Sequence, residues 1–123
     1  MAKILIVEDN PDNMKLFTAV LSIRGHRVVG LPGGEQLLPT MRAEAPQVVL
    51  LDIQLPGEDG FQLLERLVAD LGPALPPVVA LTAHAMSGDR EKALRAGFSG
   101  YLTKPIDVST FASSVEAFLS HAG

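Results

Sequence analysis

The sequence predicts an open, doubly wound α/β domain built from five strand–helix units. Two observations carry this. Strand-like and helix-like stretches alternate along all 123 residues. The stretches Ile4-Leu5-Ile6-Val7, Val48-Val49-Leu50-Leu51 and Val78-Val79-Ala80-Leu81 are apolar without alternation. Such runs belong to strands covered on both faces, the habit of parallel sheets, and repeated βα units put helices over both faces. One domain spanning 1–123 is expected, with no second domain or output domain.

Each element has its own signal. The first strand ends at Glu8-Asp9, and Asn10-Pro11 then reads as the N-cap and first position of a helix. Met14, Phe17, Val20 and Leu21 share one face of that helix, and Gly25 stops it. Arg27 to Leu31 is a second, weaker strand. Gly33-Gly34 is expected to open the second helix, with Leu37, Leu38 and Met41 inward; Pro39 implies a late start or a kink. Phe61, Leu64, Leu67, Val68 and Leu71 mark the third helix, and Leu71 to Pro77 a stiff loop. Ser87 is expected to cap a short polar helix that Gly97 ends. Gly100 to Thr103 is the fifth strand. From Asp107 a last helix turns Val108, Phe111, Val115, Phe118 and Leu119 inward.

Composition removes several functions. Ten basic against fourteen acidic residues give a net charge of −4, a poor basis for gripping nucleic acid through its phosphates. The absence of cysteine excludes disulfides, thiol catalysis and Cys-zinc sites. No apolar run approaches the ~18 residues of a membrane span. Met1-Ala2-Lys3 leads directly into a strand without a signal-peptide pattern, so a cytoplasmic address is expected.

In an open α/β sheet, ligands bind beyond the carboxyl ends of the strands. The residues that follow the strands are Glu8 and Asp9, then Asp52, then Thr82, then Lys104 with Pro105. Singly, each has an ordinary reading: a helix N-terminal charge pair, a turn former, a strand-end hydroxyl, a solvated lysine. Together they place three acids, a hydroxyl and an amine on one edge. Each carboxylate pair at ~4 Å costs about 4 kcal/mol at an effective dielectric near 20. One lysine cannot neutralise three acids, whereas Mg²⁺ suits carboxylates, a backbone carbonyl and water. A metal, a carboxylate, a lysine and a hydroxyl suit phosphoryl transfer, with a carboxylate as nucleophile. No glycine-rich phosphate loop is present, which argues against a nucleotide donor.

These residues carry a family resemblance. Ile4 to Asn10 is similar to the first strand and acidic pair of bacterial response-regulator receiver domains. Leu51-Asp52-Ile53-Gln54-Leu55-Pro56-Gly57 with Asp59-Gly60 resembles their phosphoacceptor strand and loop. Leu81-Thr82-Ala83 and Tyr101-Leu102-Thr103-Lys104-Pro105 resemble the two remaining landmarks. Asn13 to Phe17 and Ala85 to Asp89 bring the chain nearest to stand-alone cell-cycle receivers of the DivK type. Receiver modules of hybrid histidine kinases share much of this wording, so an excised module is the alternative.

The resemblance implies a flavodoxin-like (βα)5 domain with a five-stranded parallel sheet in the order 2-1-3-4-5. It implies that Asp52 accepts a phosphoryl group from a histidine kinase or histidine phosphotransfer protein. Asp9 and Asp52 would bind Mg²⁺ directly, Glu8 through water, and Gln54 by its backbone carbonyl. Lys104, the Thr82 hydroxyl and the Ala83 amide would hold phosphoryl oxygens, and the Lys104–Pro105 bond would be cis. His84 would tune hydrolysis, and Tyr101 would follow Thr82 inward. Output would pass to a downstream protein through the fourth helix, fifth strand and fifth helix, roughly 87–120, with no contact to nucleic acid or membrane. The chain is then a signalling protein that catalyses only its own phosphorylation and dephosphorylation. His26 and His121 read as surface residues.

Two rivals share the topology. A haloacid-dehalogenase-type phosphatase pairs its nucleophile with an acid two residues on, where this chain has Gln54. A flavodoxin-like electron carrier needs a phosphate-accepting first loop, and Glu8-Asp9 would repel a flavin phosphate.

Overall fold

The computed structural model describes residues 2–83 and 89–119. Five strands, β1 (Lys3–Val7), β2 (Arg27–Leu31), β3 (Val48–Asp52), β4 (Val78–Thr82) and β5 (Gly100–Thr103), alternate with five helices. These are α1 (Pro11–Ile23), α2 (Leu37–Glu44), α3 (Gly60–Leu71), α4 (Asp89–Ala96) and α5 (Val108–Leu119). All strand pairs are parallel, in the order β2-β1-β3-β4-β5. The expected doubly wound order is therefore the one observed, and the strand order reverses between β1 and β3.

Alternation of Cβ direction sorts the central strands into two cores. Leu5, Val7, Val49, Leu51, Val78 and Ala80 face α2, α3 and α4, meeting Met41, Leu64, Leu67 and Ala93. Ile4, Ile6, Val48, Leu50, Val79 and Leu81 face α1 and α5, meeting Phe17, Leu21, Phe111 and Val115. Residues of β3 and β4 are buried throughout, as expected of strands covered on both faces. The Phe17 and Phe111 rings stack with centroids 5.2 Å apart, which ties α1 to α5 under the sheet.

Helix starts follow their caps. Asn10 Oδ1 accepts the backbone N–H groups of Asp12 and Asn13, with Pro11 at the first position. Asp59 Oδ1 accepts the Phe61 N–H, and Asp107 Oδ1 accepts the Ser109 N–H. Gly25 and Gly97 take the positive φ values that end α1 and α4.

Three expectations are corrected. Gly33-Gly34 does not open α2. The helix begins at Leu37, which places Pro39 in the first turn, where a missing N–H costs no intrahelical bond. Val108 is exposed rather than inward, at 56%, and Val68, one of the residues that mark α3, is exposed at 48%. Val68 turns away from the sheet while Leu63, Leu64 and Leu67 fill it. Val108 is the first residue of α5, before the buried stripe begins at Phe111. His26 is not a surface residue, since its side chain is only 7% exposed. Its Nδ1 accepts the Ala2 N–H and its Nε2 lies 2.7 Å from Glu116. Ser87, His84 and His121 lie outside the described residues.

Candidate functional site

The carboxyl ends of β1, β3, β4 and β5 converge at one edge of the sheet. Glu8 continues the β1 ladder, its N–H donating to Leu31 O at 3.0 Å. Its carboxylate lies inside, 2% exposed, while Asp9 faces solvent. Asp52 ends β3 and Thr82 ends β4, each 1% exposed. Lys104 follows β5, and its N–H donates to Thr82 O at 2.7 Å. The Lys104–Pro105 bond is cis, as expected.

Lys104 Nζ bridges the two buried acids, 2.8 Å from Asp52 Oδ2 and 3.0 Å from Glu8 Oε1. The other oxygen of each acid takes a backbone donor: Asp52 Oδ1 accepts from Gln54 N, and Glu8 Oε2 from Asn10 N. Glu8, Asp9 and Asp52 each offer a carboxylate oxygen within 4.8 Å of the others. The pocket thus sets three acids against one lysine. Burial raises the Glu8 pKa above its usual value, against the pull of the Asn10 amide and Lys104. For Lys104, burial alone would lower the pKa. Its bonds to Asp52 and Glu8 outweigh burial, and the net shift is upward.

The donor set fits Mg²⁺: hard oxygen donors, an excess of negative charge, and one acid open to water. Glu8, Asp9, Asp52, Thr82 and Lys104, chosen for following their strands, are all brought to this edge. Ala83 and Gln54 sit beside them, exposed, and Gln54 Oε1 accepts the Ala83 N–H at 3.0 Å. That side-chain contact was missed, because only the Gln54 carbonyl entered the sequence reading. The Lys104–Glu8 bond was missed too, and no spacing rule signals it.

Strand order, acidic pair, central aspartate and strand-end lysine together define a receiver-type switch domain. The chain belongs to the response regulator receiver domain family, whose model matches residues 4–116. Protein PilH of Pseudomonas aeruginosa is 38% identical over 120 residues, covering 98% of this chain and 99% of that protein. The polar-differentiation response regulator DivK of Brucella ovis is 36% identical, covering 97% of each chain. Among solved structures, the receiver domain of sensor histidine kinase PA1611 from Pseudomonas aeruginosa has a TM-score of 0.84 at 33% identity. It covers 97% of this chain and 98% of that one, and holds a magnesium ion in its active-site cleft.

Proposed function

We propose that this receiver domain takes a phosphoryl group from a phosphohistidine onto the Asp52 carboxylate. The observation that carries this reading is the Asp52 carboxylate itself, buried at a strand end, bonded to Lys104 Nζ at 2.8 Å and within reach of two further acids. A carboxylate oxygen of Asp52 attacks phosphorus, the P–N bond breaks, and the imidazole leaves with the electron pair. The product is an acyl phosphate. Lys104 already faces the acceptor and pairs with a phosphoryl oxygen in place of the lost carboxylate charge. The Thr82 hydroxyl and the Ala83 N–H hold the other oxygens. Asp9, Asp52 and the Gln54 carbonyl, with Glu8 behind, would hold Mg²⁺, which would supply electrostatic stabilisation of the transferring group.

The output surface in this reading is α4, β5 and α5. Tyr101 is half-buried on β5 against the core that faces α4. Drawing the Thr82 hydroxyl toward the phosphoryl group vacates space beside β4, which Tyr101 fills by turning inward. We further propose that the chain works in the cytoplasm, catalyses only its own phosphorylation and dephosphorylation, and signals to a protein rather than to nucleic acid. Among the described residues, no helix is long and apolar enough to cross a membrane.

Incubation with acetyl phosphate and Mg²⁺ tests the acceptor. One added phosphoryl group by intact mass is expected, lost in Asp52→Asn and lost with EDTA. Labelling that survives either change refutes it.

A further inference from the structure

A side chain of the loop after β3 reaches across to Ala83, just past β4. Gln54 donates its backbone N–H to Asp52 Oδ1 at 2.8 Å, and its side-chain Oε1 accepts the Ala83 N–H at 3.0 Å. An N–H facing it identifies the amide atom as oxygen, the acceptor. In the function proposed above, that same N–H is a donor to a phosphoryl oxygen. We propose that Gln54 is a placeholder: its side-chain oxygen occupies the phosphoryl-oxygen seat at Ala83 and must leave before the anion is fully held. The inference rests on the reading of Asp52 as phosphoacceptor.

Two effects of such a contact oppose each other. Holding the amide in place would favour the anion, whereas occupying it would compete with the anion. The ladder decides between them. Ala83 directly follows β4, whose end is fixed by Ile53 N to Leu81 O at 3.0 Å and Lys104 N to Thr82 O at 2.7 Å. The amide is therefore aimed without help from Gln54, and competition is the net effect. Displacement is easy, because Gln54 is exposed and its freed amide oxygen passes to water. The backbone of residue 54 does not have to move, so its carbonyl stays available to a metal.

The test compares wild type with Gln54→Met, which keeps length and removes the acceptor. Each protein, saturated with Mg²⁺, is titrated with beryllofluoride and followed by amide chemical shifts. The Met variant is expected to bind about three- to tenfold more tightly, the factor that one neutral hydrogen bond is worth. Gln54→Glu is expected to bind more weakly than wild type, since a carboxylate holds the amide harder and repels the anion. Exchange of the Ala83 amide speeds up in the Met variant. Binding equal to or weaker than wild type in the Met variant, or an unchanged Ala83 exchange rate, overturns the placeholder. Gln54→Ala serves with the same expectations if the Met variant misfolds. A wild type that takes no beryllofluoride overturns the phosphoacceptor reading, and the placeholder with it.

Discussion

Lys104 holds two buried acids with one charge, and that imbalance governs what single substitutions do. Its side chain is 14% exposed, and its Nζ touches both Glu8 and Asp52. Removing one partner of a buried ion pair typically costs ~3–5 kcal/mol, less where the pocket opens to water as it does at Asp9. Lys104→Met is expected to lower stability in EDTA by about 1–3 kcal/mol, read from urea midpoints, and Mg²⁺ should restore much of the loss. An unchanged midpoint would show that Lys104 is not the counter-ion described here. Glu8 gives the opposite sign. Its pKa is raised in the folded state, chiefly by burial, so the folded protein binds that proton more tightly than the unfolded chain. The ionised group therefore costs stability above its folded pKa, and the cost fades as pH falls from the folded value to the unfolded one, below which it is gone. Glu8→Gln is expected to stabilise the metal-free protein at pH 7 and to show a shrinking gain toward pH 4. A gain that grows on acidification contradicts this. The acids and Lys104 were legible because each follows a strand, and that position is a one-dimensional feature. The Gln54–Ala83 contact and the buried His26 were not, because side-chain direction and a partner ninety residues away in the chain leave no local pattern.

At the scale of elements, local chemistry sets where helices begin, and tertiary packing decides which face turns in. Asn10 satisfies two backbone donors of α1 that would otherwise go unpaired. Asn10→Ala is expected to cost about 1 kcal/mol by thermal unfolding in EDTA, the usual worth of such a cap. No change would mean that water caps α1 equally well. Cap residues and strand runs are sequence features, so α1, β1, β3 and β4 were readable nearly to their ends. The start of α2 was not. Two glycines looked like an opening, but Gly34 sits against Leu63 and Glu58, and its N–H donates to Glu58 Oε2 at 2.8 Å. A contact with a loop 24 residues later therefore holds the turn open until Leu37. Val108 misled for a related reason: an apolar residue beside a buried stripe looks inward until the neighbouring helix is placed.

For the molecule as a whole, folding gathers charges that the unfolded chain keeps apart. Glu8 and Asp9 come from the end of β1, Asp52 from β3, and Lys104 follows β5, so the triad of acids exists only in the native sheet. A cation that binds the triad binds the folded state alone and stabilises it by RT ln(1 + [L]/Kd), about 2.7 kcal/mol at one hundred times Kd. For a domain of 123 residues, about 1 kcal/mol corresponds to roughly 4 °C in melting temperature. Mg²⁺ is therefore expected to raise the melting temperature by about 10 °C near saturation, with the rise continuing logarithmically with concentration. Acidification should weaken the response, because Glu8 takes up its proton at a higher pH than an exposed glutamate and a protonated carboxyl is a poor ligand. Sodium chloride at matched ionic strength separates screening of the acids from a bound ion, since screening needs no particular carboxylate. Asp9→Asn and Asp52→Asn should each abolish most of the Mg²⁺ shift while leaving the salt response in place. Melting curves that ignore Mg²⁺, or that shift as much in either variant as in wild type, would show that the three acids do not act together as one cation site.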